Sequence, residues 1–271
     1  MTGKTIVITS GKGGVGKTTT TANIGTGLAL RGHKVVIIDT DIGLRNLDVV
    51  MGLENRIVFD LVDVIEERCE PSKAMIRDKH KLDLFLIPAP QTRDKDCISS
   101  EQLSELCRQL EEDYEYIIID CPAGIETGFK NAINAAEEAI IVTTPEVSAV
   151  RDADRVIGLL DAAGIKQPRL IINRIHPDLV AKGDMLDKDD IVDILAIDII
   201  GLVPIDDKVI TSTNQGVPVV HNKNSASGAA FNRIAGRIDG EDIPIQEPQS
   251  ASFLKKIKAF VGINKGEYSH A

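Results

Sequence analysis

The 271-residue sequence contains no run of 18 apolar residues, the length that a bilayer-spanning helix needs. It has no excess of basic charge. Its 31 Lys and Arg are outnumbered by 41 Asp and Glu, giving a net charge of −10, which argues against non-specific DNA binding by the domain as a whole. The four cysteines, Cys69, Cys97, Cys107 and Cys121, form no C-x-x-C pair, and Cys97 and Cys107 stand too far apart for a local metal knuckle. They read as reduced thiols of a cytosolic protein. No internal repeat is visible. The chain enters a strand-like run almost at once, so no signal peptide is expected before it. With 43% hydrophobic residues a sizeable core can be buried, in one large α/β domain or two small ones.

The richest stretch is residues 5–21, TIVITSGKGGVGKTTTT. An apolar β-branched run is followed by a glycine-rich turn and then by a helical run from Lys17. This is G-x-x-x-x-G-K-[ST] between a strand and a helix, the context of a P-loop. The glycines let backbone N–H groups curl round an anion, and the helix adds its positive dipole end. Lys17 would reach the β- and γ-phosphates, and Thr18 would offer its hydroxyl to Mg²⁺. Gly11 to Gly16 also spells G-x-G-x-x-G, with Asp39 where a ribose-binding acid of a dinucleotide fold belongs. A pyrophosphate needs no lysine at the helix start, so Lys17-Thr18 favour a nucleoside triphosphate with its metal.

Along the chain, near-continuous Ile/Val/Leu runs alternate with helical patterns. Strands are expected near 6–8, 34–38, 82–87, 116–119, 140–143, 170–172 and 197–202. Helices are expected at 18–31 (stopped by Gly32), 59–67, 100–110 (capped by Ser99 or Ser100 with a glutamate nearby), 147–163 and 189–195. Strands apolar on both faces imply a buried, mostly parallel, doubly wound sheet with helices on both sides. The fold class is therefore single-domain α/β of P-loop NTPase type over residues 1–238.

Ligands of open α/β sheets lie beyond the carboxyl ends of the strands. Asp39 and Asp41 follow the second strand and Asp120 ends the run Ile117-Ile118-Ile119, so all three should face the P-loop. A metal–triphosphate needs one carboxylate to hold Mg²⁺ and one to orient the attacking water. Ordinary caps or turn residues are the plainer alternative. Lys12 is poorly placed for the γ-phosphate of its own chain. It could reach a second subunit's phosphates in trans, or be a solvated surface lysine.

Residues 239–252, DGEDIPIQEPQSAS, read as a polar, extended and flexible linker. Beyond them Phe253, Leu254, Ile257, Phe260 and Val261 fall on one helical face, with Lys255, Lys256 and Lys258 on the rest. A basic amphipathic helix over 253–262 suits an interfacial membrane anchor. A helix docked on the domain would show the same apolar face. One such tip holds weakly, because ordering it offsets most of its apolar gain. Two tips in one dimer gain about 10²–10⁴ in avidity. The tail 263–271 carries no reading.

The run Lys12-Gly13-Gly14-Val15-Gly16-Lys17-Thr18 resembles the deviant Walker A motif of the ParA/MinD family of ATPases. Residues 39–48, which resemble a first switch, and residues 91–96, 120–128 and 145–154 are similar to the MinD branch of that family. The resemblance covers nearly the whole chain. It implies an ATPase that forms a homodimer face to face on ATP. Gly11, Lys12, Gly13, Gly14, Val15, Gly16, Lys17, Thr18 and Thr19 would contact the nucleotide. Lys12 would serve the partner's phosphates, Asp41 would position the hydrolytic water, and Thr18, Asp39 and Asp120 would form the Mg²⁺ environment. Asn46 and Gly124 would lie in two switches, and Asn173, Arg174, Pro204 and Asp206 on the adenine side. Ser148, Arg151, Asp152 and Asp154 would face protein partners, a MinC-like inhibitor of division and a MinE-like activator. A solvated helix face is the plainer reading of those four. The implied place is the cytoplasmic face of the plasma membrane, peripherally bound, or a plastid stroma. Competing readings are a ParA-type DNA-partition ATPase, a cluster-carrying ATPase like nitrogenase iron protein, and a scaffold with negligible hydrolysis.

Overall fold

The computed structural model describes residues 3–93 and 97–249. The amphipathic segment 253–262, the tail and part of the 91–96 block lie outside the described residues.

The chain runs β1 (Lys4–Thr9), α1 (Lys17–Ala29), β2 (Val35–Asp39), α2 (Leu47–Met51), α3 (Leu61–Ile65), α4 (Pro71–Ala74), β3 (Ile76–Arg77) and β4 (Leu84–Ile87). It continues α5 (Ser100–Leu110), β5 (Tyr116–Asp120), α6 (Thr127–Asn134), β6 (Glu138–Thr143), α7 (Val147–Ala162), β7 (Arg169–Ile175) and α8 (Pro177–Val180). Then come α9 (Lys188–Leu195), β8 (Ile199–Pro204), α10 (Lys208–Asn214) and α11 (Ala226–Ile238). One eight-stranded sheet has the order β3-β4-β2-β5-β1-β6-β7-β8. Every pairing is parallel except the two-residue β3 against β4.

Side chains alternate across a strand, and β1 shows the consequence. Ile6 and Ile8 point into a core closed by Ile24 and Leu28 of α1 and Phe231 and Ile234 of α11. Val7 points into the opposite core with Leu103 and Leu106 of α5, Phe129 of α6 and Val156 and Leu160 of α7. Both faces are covered, as the uninterrupted apolar strands imply. The doubly wound α/β architecture is the one expected.

Boundaries differ where caps decide them. The 59–67 helix narrows to α3 because Asp60 caps Val62 and Asp63 in a reciprocal box. Asp187 and Asp190 likewise start α9 one residue early, at Lys188. At α5 the cap is Ser99, and Gln102 closes the box in place of the expected glutamate. The linker stretch is described as far as residue 249. It has no regular structure, but Arg31 pairs with Glu241 at 3.0 Å and Lys188 with Glu247 at 2.8 Å. Arg237 donates to the carbonyls of Ile243 and Pro244, both at 2.7 Å. The strap thus runs back from the end of α11 to Pro177 and Pro204.

Candidate functional site

The loop 10–16 leaves the carboxyl end of β1, the central strand between β5 and β6. Gly16 precedes α1 with φ +100° and contributes no capping side chain. A Cβ there would stand 2.4 Å from Asn173 Nδ2 and would also strain the backbone. The first N–H groups of α1 have no acceptor within the helix and, with its dipole, make the loop a receptor for negative oxygen. Lys17 is buried, 8% exposed, and its ammonium donates to Ser10 Oγ at 3.1 Å.

Asp39 and Asp120 end neighbouring strands and are paired in register. Both are buried. Asp39 accepts from the N–H groups of Asp41 at 2.9 Å and Leu47 at 3.4 Å. Asp120 accepts from the Thr21 hydroxyl at 2.9 Å. Burial, and then the neighbouring Asp120, hold Asp39 well above the usual carboxylate range. Burial also lifts Asp120 to about 6, although Thr18, Thr21 and Lys17 act in the opposite direction. Two desolvated carboxyls beside a threonine hydroxyl offer hard oxygen donors. Such a set fits Mg²⁺, which takes few protein ligands and completes its shell with phosphate and water. Among the described residues no three His, Cys, Asp or Glu side chains gather as a metal group, so a protein-only metal cage is not present there.

Asp41 borders a cavity of about 410 Å³ between Thr40-Ile42 and the start of α6, with Lys130 on its wall. Asn46 precedes α2 without using its side chain as a cap. Gly124, at φ +94°, turns the loop between β5 and α6. On the other side, Asn173 Nδ2 donates to the Val15 carbonyl at 2.8 Å, and Asn173 Oδ1 accepts from the Arg174 N–H at 2.9 Å. This ties the end of β7 to the P-loop. Asp206 is occupied structurally: it accepts from Ser225 Oγ at 2.5 Å, Lys208 N at 3.0 Å and Ser227 N at 3.2 Å. Burial would raise its carboxyl, but those donors hold it below the ordinary value. Pro204 holds α11 through its carbonyl, which accepts from Ser227 Oγ at 2.7 Å.

Lys12 does not sit over its own phosphate loop. Its ammonium lies 3.3 Å from Glu146 Oε2 and 3.1 Å from Ser148 Oγ, at the start of α7. Gly11 packs so closely on α7 that a Cβ would meet the Asp152 carbonyl at 2.2 Å. Ser148 and Asp152, expected on a partner-facing helix, therefore also touch the P-loop. Arg151 and Asp154 are exposed on that helix. Sequence reasoning did not single out Ser10, Thr21 or Glu146. Thr21 carries a signal, four residues after Lys17 on the helix face toward the sheet. Glu146 carries none, because its role depends on where β6 delivers α7.

Comparison with known proteins bears on this arrangement. A ParA model, described as NUBPL iron-transfer P-loop NTPase, matches residues 2–239. The septum site-determining protein MinD of Bacillus subtilis is 54% identical over 265 residues, 96% of this chain and 99% of that protein. Among solved structures, a MinC:MinD cell division protein complex from Aquifex aeolicus superposes with a TM-score of 0.85 at 46% identity, covering 91% of this chain and 100% of that chain. MinD of Pyrococcus horikoshii, complexed with Mg-ADP, superposes with a TM-score of 0.78 at 30% identity, covering 87% and 96%.

Proposed function

The chain belongs to the ParA/MinD family of P-loop NTPases, and from that premise we propose that it is an ATPase that regulates division-septum placement by recruiting a MinC-type inhibitor. The observation that carries the chemistry is the convergence of Lys17 and the buried Asp39–Asp120 pair on the uncapped start of α1. Backbone N–H groups of the P-loop and Lys17 bind and orient the β- and γ-phosphates of ATP. Thr18, Asp39 and Asp120 would hold Mg²⁺, which would supply positive charge to offset that of the phosphates. Asp41 accepts a hydrogen bond from the attacking water and aligns it on the γ-phosphorus, and ADP and phosphate leave. Asn46 and Gly124 border the γ-phosphate, while Asn173, Arg174, Pro204 and Asp206 frame the base.

Hydrolysis is completed by a second copy. Lys12 is engaged by Glu146 and Ser148 in the single chain and swings out to the partner's phosphates in an ATP-bound homodimer. The same move frees the start of α7, where Ser148, Arg151, Asp152 and Asp154 receive the inhibitor and a MinE-type activator. Residues 253–261 of the two copies, outside the described residues, then grip anionic membrane together. No described helix is long and apolar enough to cross a membrane, and this proposal needs none. The deciding experiment is co-sedimentation of the full chain with anionic vesicles in Mg·ATP, Mg·ADP and no nucleotide, with turnover measured in parallel. ATP-selective pelleting with dimer formation supports the reading. Equal pelleting by a monomer in all three conditions overturns it.

A further inference from the structure

The loop between Asp41 and Asn46 contains one side-chain-bearing residue whose backbone is strained. Arg45 has φ +39°, a left-handed conformation that is uncommon for a side-chain-bearing residue. Its N–H donates to the Asp41 carbonyl at 3.1 Å. Its guanidinium turns inward and lies 3.0 Å from Asp48 Oδ2 on α2, with side-chain exposures of 15% and 1%. Burial raises the Asp48 carboxyl above its ordinary value, while the Arg45 guanidinium and the Val49 N–H act in the opposite direction, so Arg45 is the cation that faces this buried carboxyl. Arg45 therefore ties Asp41 on its backbone side to α2 on its side-chain side.

We propose that the Arg45–Asp48 ion pair is a positioning brace that pre-shapes the 41–47 loop, so that Asp41 and Asn46 face the phosphate loop before nucleotide arrives. This rests on the ATPase reading above for its kinetic consequence, but not for its structural one. The two ends of the loop are already fixed, because Asp39 accepts from the N–H groups of Asp41 and Leu47. In the middle, Gly43 at φ +91° donates its N–H to the Pro90 carbonyl at 3.0 Å and Leu44 donates to the Asp41 carbonyl at 3.2 Å, and the brace adds the side-chain tie from the loop to α2. Removing one partner of such a pair leaves the other buried and uncompensated, so the single variants are expected to melt earlier, and the loop-specific readouts carry the test. On the ATPase reading Asp41 and Asn46 serve the γ-phosphate, so the brace is expected to act on turnover and not on ADP binding.

The test uses the full-length chain with Asp48→Asn, Arg45→Gln and Arg45→Lys. Without nucleotide, trypsin cleavage after Arg45 reports opening of the brace. Asp48→Asn is expected to speed that cleavage at least about tenfold. With Mg·ATP, Asp48→Asn and Arg45→Gln are expected to lower kcat about 10–100-fold, the scale of a displaced catalytic group. KM for ATP and Kd for ADP should stay within about threefold. Arg45→Lys keeps a cation in reach and should retain at least about a third of kcat. Unchanged cleavage overturns the proposal. So does a parallel loss of kcat, KM and ADP affinity, which marks a merely structural pair. Should Asp48→Asn fail to fold, the Arg45→Gln kinetics decide. A wild-type chain that never turns over ATP removes the ATPase reading, while the cleavage assay still judges the brace.

Discussion

If Lys12 must leave Glu146 and Ser148 before it can serve a partner, weakening that contact should promote dimerisation. Glu146→Ala is the cleanest perturbation. Glu146 precedes α7 but makes no capping hydrogen bond, so little helix stability is at stake. The contact is a surface ion pair at 3.3 Å, with side-chain exposures of 41% and 59%. Such pairs contribute roughly 0.2–1 kcal/mol, which raises the population of released Lys12 by a factor of about 1.4–5. Each dimer needs two released lysines, so the ATP-dependent dimer constant should tighten by the square, about 2–30-fold. Sedimentation velocity with a slowly hydrolysed ATP analogue measures it. The gain should shrink toward one at about 1 M salt, where the pair is screened. An unchanged or weaker dimer at low salt would refute the idea that Glu146 restrains Lys12.

Asp120→Asn should raise the melting temperature of nucleotide-free protein, because it removes a desolvated acid beside Asp39 while retaining the Thr21 bond. The same substitution should lower Mg·ATP turnover at least about tenfold. For the wild type, both carboxyls sit above their ordinary range. Nucleotide-free stability should therefore fall as pH rises from about 4 through about 6, as followed by thermal melts with and without Mg·ATP. His33 gives a second pH signature. Burial lowers it, but Asp239 at 2.6 Å and Glu115 at 3.1 Å outweigh that and raise its pKa. Its stabilisation is present below about pH 6.5 and fades as pH rises through the higher folded value. The melting difference between wild type and His33→Gln should thus be largest near pH 5.5 and smallest above pH 8. Gly201→Ala should destabilise by about 1–3 kcal/mol in urea titrations, since its Cβ would come within 2.3 Å of Ile234.

The parts of this protein that were legible in its sequence are those fixed by local rules. The P-loop could be read because only glycines tolerate Gly14 and Gly16 at φ +79° and +100°, and because a lysine must follow at once. Asp39 and Asp120 could be placed because apolar strands end where polar residues begin. Elements without such a rule were harder to see. The two-residue antiparallel β3 exists only because β4 offers it an edge. In α11, small residues such as Ala230 and Ala235 blunt the apolar periodicity that announces a helix, and contact with α1 and β8 supplies its stability. Residues 240–249 read as an extended linker, and most of them are exposed, but their sequence did not show which groups they meet. Arg31, Arg237 and Lys188, distant in sequence, give them partners.

The sequence by itself determined that a triphosphate loop follows a buried strand, that acids stand at two other strand ends, and that residues 253–261 carry a basic amphipathic pattern. Backbone sterics and hydrophobic period act over a few residues, so those facts need no fold to be read. Only the tertiary structure decided what Lys12 touches, that Asp39 and Asp120 share one desolvated corner, and that Arg45 spans from Asp41 to Asp48. Pairings across the sheet and between loops depend on strand order and crossover paths, and a charge acquires its meaning only from the neighbours that packing brings to it.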